Sequence, residues 1–171
     1  MSETAGPTLP PLPTPMGTPP ERRACAFTLA GARFAVDVRS AREVVLFDEI
    51  TAVPQAPRHL VGVANLRGTV MPIVDISALL GLPASRPARS VRTLVVRDGG
   101  IQAALVVDAV LGLEPFEDVI PPDRPLTAPA AHPMMAGWVR WLDETLALLD
   151  VPKILGTLRA SIAAPPQELS A

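Results

Sequence analysis

Three aspartates stand where apolar runs end: Val74-Asp75-Ile76, Val107-Asp108-Ala109 and Leu149-Asp150-Val151. Carboxylates so placed could act as acids and bases or bind a cation. A metal site needs convergent ligands, and no His or Glu spacing supports one, because His59 and His132 sit beside prolines in separate loops. No nucleophile stands at a recognisable distance from a base, and neither G-x-S-x-G nor a phosphate loop is present. Ser40, Ser77, Ser85 and Ser90 read as caps and loop residues. The aspartates themselves fit best as acceptors for the orphan amides of turns and helix starts. No catalytic, cofactor-binding or metal-binding residue is therefore expected, and no cofactor. The opposing reading is an enzyme on a small barrel that uses Asp75 or Asp108.

A different kind of chemistry is offered by Gly62 to Gly81, GVANLRGTVMPIVDISALLG. Val70, Met71, Ile73, Val74 and Ile76 make a run too short and too β-branched for a long helix, so it reads as a buried strand. Asn65, Arg67 and Gly68 precede it as a tight polar loop in which Gly68 permits positive φ. Arg67 is thereby offered to solvent beside apolar surface. Its planar five-donor fork and apolar stem are the equipment of an interface anchor, although many exposed turn arginines are only solvated charges.

The elements that hold this loop follow from alternation. Cys25, Phe27 and Leu29, then Ala30-Gly31-Ala32-Arg33, then Phe34, Val36 and Val38 read as a β-hairpin. Ser40-Ala41-Arg42-Glu43 has the S-x-x-E spacing of a capping box and predicts a short helix, with Glu43 one turn in. Ile50 to Val53 reads as a strand ended by Pro54 and Pro57. Asp75 to Gly81 suggests a capped turn or two of helix. Val91 to Val96 and Ile101 to Val107 flank Asp98-Gly99-Gly100 as a second hairpin. Ala109 to Leu113 is apolar again, and residues 114 to 133 read as a long surface loop. Met134 to Leu142 and Thr145 to Leu149 pair around Asp143-Glu144, and Asp150 caps a terminal helix with Pro152 near its start.

Composition bounds the rest. The 171 residues suffice for one core, in one or two lobes. Apolar residues make up 49% of the chain, yet no run approaches the roughly 20 needed to cross a bilayer. The first residues lack the apolar segment of a secretory signal, so cytoplasmic residence is the expectation. Cys25 is the single cysteine and reads as a small buried hydrophobe. A net charge of -2, without a basic run and without tyrosine, argues against a nucleic-acid footprint. Residues 1–22 are a Pro-rich segment expected to be a disordered or polyproline spacer, residues 23–160 the folded part, and residues 161–171 a flexible tail. The fold expected from strand spacing is all-β, with small helices at corners, as a sandwich or as two small barrels.

The order of these features resembles the CheW family. Glu43-Val44 after a hairpin, prolines 54 and 57, Gly62-Val63-Ala64-Asn65-Leu66-Arg67-Gly68, Pro72-Ile73-Val74-Asp75, the Val107-Asp108 strand end and Leu149-Asp150 before a last helix all carry the resemblance, over about residues 25 to 158. It implies two SH3-like five-stranded β-barrels around a hydrophobic junction, with a C-terminal helix. It also implies a non-catalytic adaptor that links the chemoreceptor cytoplasmic tip to the regulatory domain of a CheA-type histidine kinase. Such an adaptor would be recruited to membrane-bound receptor arrays without inserting in the membrane, and could self-associate there. The resemblance assigns Arg67 and Glu43 to partner contact and Gly62 and Asn65 to the shape of the same loop, and Gly68, Ala41 and Val44 complete the expected partner-binding set. At Ala41, where the family often has Val, a smaller side chain buries less area at about 25 cal/mol per Å². A groove between the barrels would take a receptor helix, and a separate surface the kinase. An adaptor of the same fold wired to another receptor–kinase pathway, in surface motility or gene regulation, is the alternative.

Overall fold

Strands of this chain carry apolar side chains on both faces, which requires each sheet to be covered on both sides. A computed structural model describes residues 22–84, 89–124 and 132–163. Its elements in chain order are β1 (Arg23–Leu29), β2 (Ala32–Asp37), β3 (Ala41–Phe47), β4 (Leu60–Leu66), β5 (Thr69–Val74), β6 (Val91–Asp98), β7 (Ile101–Val106), β8 (Ala109–Pro115), β9 (Met135–Trp141), β10 (Glu144–Leu149) and α1 (Val151–Ala163). They build two five-stranded sheets, ordered β8-β1-β2-β10-β9 and β3-β6-β7-β5-β4. The fold is all-β and SH3-like. The second unit is continuous in sequence, and the first is assembled from both ends of the chain around it.

Alternation divides the apolar residues among three cores. On β1, Ala24 and Ala26 face a core inside the first sheet with Phe116, Val139, Leu146 and Leu148. Phe27 and Leu29 face the opposite way into a larger core that also takes Val74, Ile76, Leu94 and Leu105 of the second unit and Ile154, Leu155 and Leu158 of α1. Met71, Ile73, Val95 and Ala104 fill the second sheet's own interior. Side chains as fully buried as Phe27 and Ile154 each contribute about 1.5–3 kcal/mol, so the shared core binds the two units into one body. Cys25 belongs to it, and burial pushes its thiol pKa up, as suits a packing residue.

Several expectations are corrected. The helix suggested by Ser40 to Glu43 is strand: β3 starts at Ala41, and Glu43 lies opposite Val95 of β6. Val44, Val45 and Phe47 favour a pleated surface, and pairing with β6 overrides the local S-x-x-E signal. Ser40 instead sits in a turn, its N–H donating to the Asp37 carbonyl and its carbonyl accepting from the Arg97 N–H. The strand expected over Ile50 to Val53 shrinks to one bridge, Thr51 with Val63, because the following prolines end the pairing. Ala109 to Leu113 belongs to β8, which runs on through Pro115 into the expected loop, and residues 125–131 of that expectation lie outside the described residues. α1 runs through Ala163, past the expected boundary at 160. The Pro-rich segment through residue 21 and residues 164–171 lie outside the described residues.

The two sheets use the same device to fix a covering segment. In each, the segment pairs with the second strand through one bridge, Thr51 with Val63 and Ile120 with Trp138. The glycine just before each bridge lets the two backbones close in: a Cβ on Gly62 would lie 2.5 Å from the Thr51 carbonyl oxygen, and one on Gly137 would lie 2.4 Å from that of Ile120. Gly62→Ala should therefore lower unfolding free energy by about 1–3 kcal/mol, the range for overpacking. Gly100→Ala, which meets nothing within 4 Å, should stay within about 0.5 kcal/mol of the parent. Urea denaturation of the two variants checks this contrast.

Candidate functional site

Arg67 and Gly68 are the central residues of the two-residue turn between β4 and β5, with φ of 51° and 84°. Positive φ at both is the type I′ geometry that matches the twist of paired strands. Ala30 and Leu142 take the same conformation in other turns, at φ 50° and 53°, so it follows from hairpin geometry and not from the arginine. Asn65 Oδ1 accepts the Gly68 N–H at 2.8 Å, which locks the turn.

The turn carries Arg67 across the open end of the second barrel to Glu43 on β3. Nη1 donates to Oε1 and Nη2 to Oε2, both at 2.7 Å, a two-point fork. The two residues singled out from sequence are thus partners of one another. The Arg67 side chain is 73% exposed and that of Glu43 31% exposed, so the pair is a rim feature and not a core ion pair. β3 contains a bulge between Ala41 and Glu43, where Arg42 is the extra residue. Bulges re-aim side chains, and this one turns Arg42 as well as Glu43 toward the barrel end.

Below the pair lies a recess of about 320 Å³ lined by Arg42, Glu43, Leu66, Arg67, Thr69, Met71, Val95, Arg97 and Gln102. Period-two alternation explains the set. Val95 and Arg97 share one face of β6, Thr69 and Met71 one face of β5, and the inner residue of each pair is buried while the outer reaches the rim. Arg42, Arg97 and Gln102 were not among the residues the sequence pointed to. The alternation of Val91, Thr93 and Val95 makes Arg97 the outer end of the inward face of β6, whereas Arg42 and Gln102 carry no such local signal.

Other singled-out residues lie elsewhere or act differently. Gly62 is buried beneath Thr51 and its role is close packing. Ala41 packs at the edge of the shared core. Val44 is 48% exposed on the outer face of β3, an edge strand. The junction between the barrels is filled by the shared core, and an open apolar groove of about 290 Å³ lies instead beside α1, between Pro72, Val74 and Ala103 on one side and Leu155, Leu158 and Ile162 on the other.

The aspartates serve the backbone. Asp75 Oδ1 accepts the Ser77 N–H at 2.9 Å ahead of a 3-10 turn at Ala78–Leu80 that ends on Gly81 in the left-handed region. Asp150 Oδ1 accepts the Lys153 N–H at 3.0 Å at the start of α1. Asp108 Oδ2 accepts the Gly31 N–H of a distant hairpin at 3.4 Å. His132 Nδ1 accepts the Met134 N–H, and burial lowers the pKa of His59. Among the described residues no three His, Cys, Asp or Glu come together as a metal site would require.

Hydrogen bonds from Arg67 hold the Glu43 carboxyl below its ordinary pKa of 4.5, and Glu43 in turn raises that of Arg67. A carboxylate whose pKa is depressed by folding contributes stability that is present above the ordinary value and lost as pH falls through the folded one. The pair should therefore be intact at neutral pH and dissolve only in acid below 4.5. Carboxyl-carbon NMR of Glu43 should show a midpoint under that value, returning to it in Arg67→Ala.

Comparison with known proteins agrees with this architecture. The model of the CheW-like domain matches residues 23–159. Protein FrzA of Myxococcus xanthus is 32% identical over 142 residues, covering 82% of this chain and 89% of the relative. A probable chemotaxis protein CheW of Rhizobium etli is 38% identical over 101 residues, covering 58% of this chain and 64% of the relative. The crystal structure of scaffolding protein TtCheW from Thermoanaerobacter tengcongensis superposes with a TM-score of 0.67 at 26% identity, covering 80% of this chain and 88% of that one. No helix among the described residues is long and apolar enough to cross a membrane. The chain belongs to the CheW-like domain family.

Proposed function

We propose that this chain is a non-catalytic adaptor that couples the cytoplasmic tip of a chemoreceptor to the regulatory domain of a CheA-type histidine kinase. The observation that carries the reading is the Glu43–Arg67 fork held on the rim of the second barrel by two independent elements, the β3 bulge and the β4–β5 turn. A pair so exposed adds little to folding, and it occupies positions that the resemblance to the CheW family assigns to partner contact. The aspartates that could have served chemistry are engaged with backbone amides. Membership in a family that includes scaffold proteins of chemotaxis supports the same reading.

The adaptor presents two kinds of surface. The charged rim of the second barrel suits a partner segment with complementary polar groups, and the apolar groove beside α1 suits the apolar stripe of a helix. Contacts that are weak singly gain strength when many adaptors, receptors and kinases are joined in one array. Such an adaptor works in the cytoplasm at membrane-bound receptors. A second pathway, with another receptor and kinase, is favoured by one observation: the relative named FrzA is matched over a larger share of the chain than the Rhizobium etli protein named for chemotaxis.

Arg67→Glu should abolish co-elution with a receptor-tip fragment or a kinase regulatory domain from the same organism while the variant melts at the parental temperature. Each receptor and kinase cluster of the organism is tried in turn, so that the pair retained identifies the pathway. Loss of folding together with binding would make Arg67 structural and sink the interface assignment.

A further inference from the structure

The two barrels share one topology, so corresponding positions show what the scaffold demands and what it does not. The hairpin β4–β5 with its Arg67-Gly68 turn corresponds to β9–β10 with Leu142-Asp143, and Gly62 corresponds to Gly137. The bulge in β3 corresponds to an irregularity at the same place on β8: Glu43 faces Val95 as Gly112 faces Ala26, and Leu111 is the extra residue where β3 has Arg42. Following the register onward, Arg97 corresponds to Thr28, Gln102 to Arg33 and Thr69 to Glu144.

The end of the first barrel therefore carries Leu111, Gly112, Leu142 and Thr28, with one balanced pair, Arg33 with Glu144. The same end of the second carries Arg42, Arg67 and Arg97 against the single carboxylate of Glu43. That is an excess of two positive charges around one recess, in a chain whose net charge is -2. Because the first barrel closes without them, the fold does not require these arginines.

Glu43 already fills the fork of Arg67. Arg97 spends its Nε–H on the Gly99 carbonyl at 3.0 Å and retains its two terminal nitrogens. Arg42 has no carboxylate partner among the described residues. Between these two free donor groups the floor is apolar, formed by Leu66, Met71 and Val95. A carboxylate on a short methylene stem fits both features, its stem on the floor and its oxygens at the guanidiniums.

We infer that this recess receives the side chain of a glutamate or aspartate on the docking segment of a protein partner, held by Arg42 and Arg97 beside the Glu43–Arg67 pair. The inference rests on the adaptor reading and names the chemistry of one of its contacts. Rim charges of this kind act chiefly on the rate of encounter and its salt dependence.

The test uses the full chain, a receptor-tip fragment, a kinase regulatory domain and hexaglutamate as a free probe. Arg42→Gln/Arg97→Gln should slow association with one of the two partners by about tenfold at low salt and flatten its salt dependence, with an unchanged urea midpoint. Arg42→Lys/Arg97→Lys, which keeps the charge, should recover most of the rate. Hexaglutamate should shift the Nε–H resonances of Arg42 and Arg97 and compete with that partner. Association of the glutamine variant at the parental rate and salt slope would overturn the inference while leaving the adaptor reading intact. If the parent binds neither partner, the adaptor reading fails, and hexaglutamate decides the recess alone: shifts at both arginines uphold acidic recognition there, and their absence overturns it.

Discussion

Double-sided burial of the central strands is the constraint on which this molecule depends. β1, β6, β7 and β10 send alternate residues to a barrel interior and to the shared junction, so neither sheet is complete without the other and α1. This is why the chain can thread the first barrel through both of its ends: β2 and β10 pair in parallel across the whole intervening second barrel. The cost in loop closure is set against burial of side chains such as Phe27, Trp138, Leu105 and Ile154 in one continuous core. Among the described residues, the edge strands and the barrel ends lie outside this core and the two barrel interiors.

The repeat of topology gives those surfaces meaning. Asp75 and Asp150 follow corresponding strands and each accepts a backbone N–H just before a helical turn, which is the physical origin of the recurring strand-end aspartate. Gly62 and Gly137 each admit a covering segment. At the barrel ends the correspondence stops: one carries leucines and a balanced ion pair, the other three arginines around a recess. Where a scaffold repeats and its chemistry does not, recognition is the natural source of the difference.

Much of this was legible in the residues. The strand at Val70 to Val74, the hairpin of β6 and β7, the Asp150 cap and the buried Cys25 all follow from alternation and turn chemistry acting locally. Arg67 and Glu43 could be marked separately, but their mutual pairing spans 24 positions of sequence and depends on a barrel closing, which no local pattern encodes. The S-x-x-E spacing points Glu43 to a helix because a capping signal is short-range, whereas its strand is fixed by β6, some fifty residues away. Alternation puts Arg97 on the inward face of β6, but its meeting with Arg42 depends on a bulge in β3 and on the register between the two strands, which no local pattern encodes.

We propose the Glu43–Arg67 pair as a recognition element and not a brace. The most direct measurement is the charge swap Glu43→Arg/Arg67→Glu in one chain, with urea denaturation and titration against the receptor-tip fragment and the kinase regulatory domain. A parental denaturation midpoint is expected, because the pair can reform in reverse, together with at least a tenfold loss of affinity for one partner. Recovery of both stability and parental affinity by the swapped pair would contradict it, since the pair would then matter only for holding the barrel end closed.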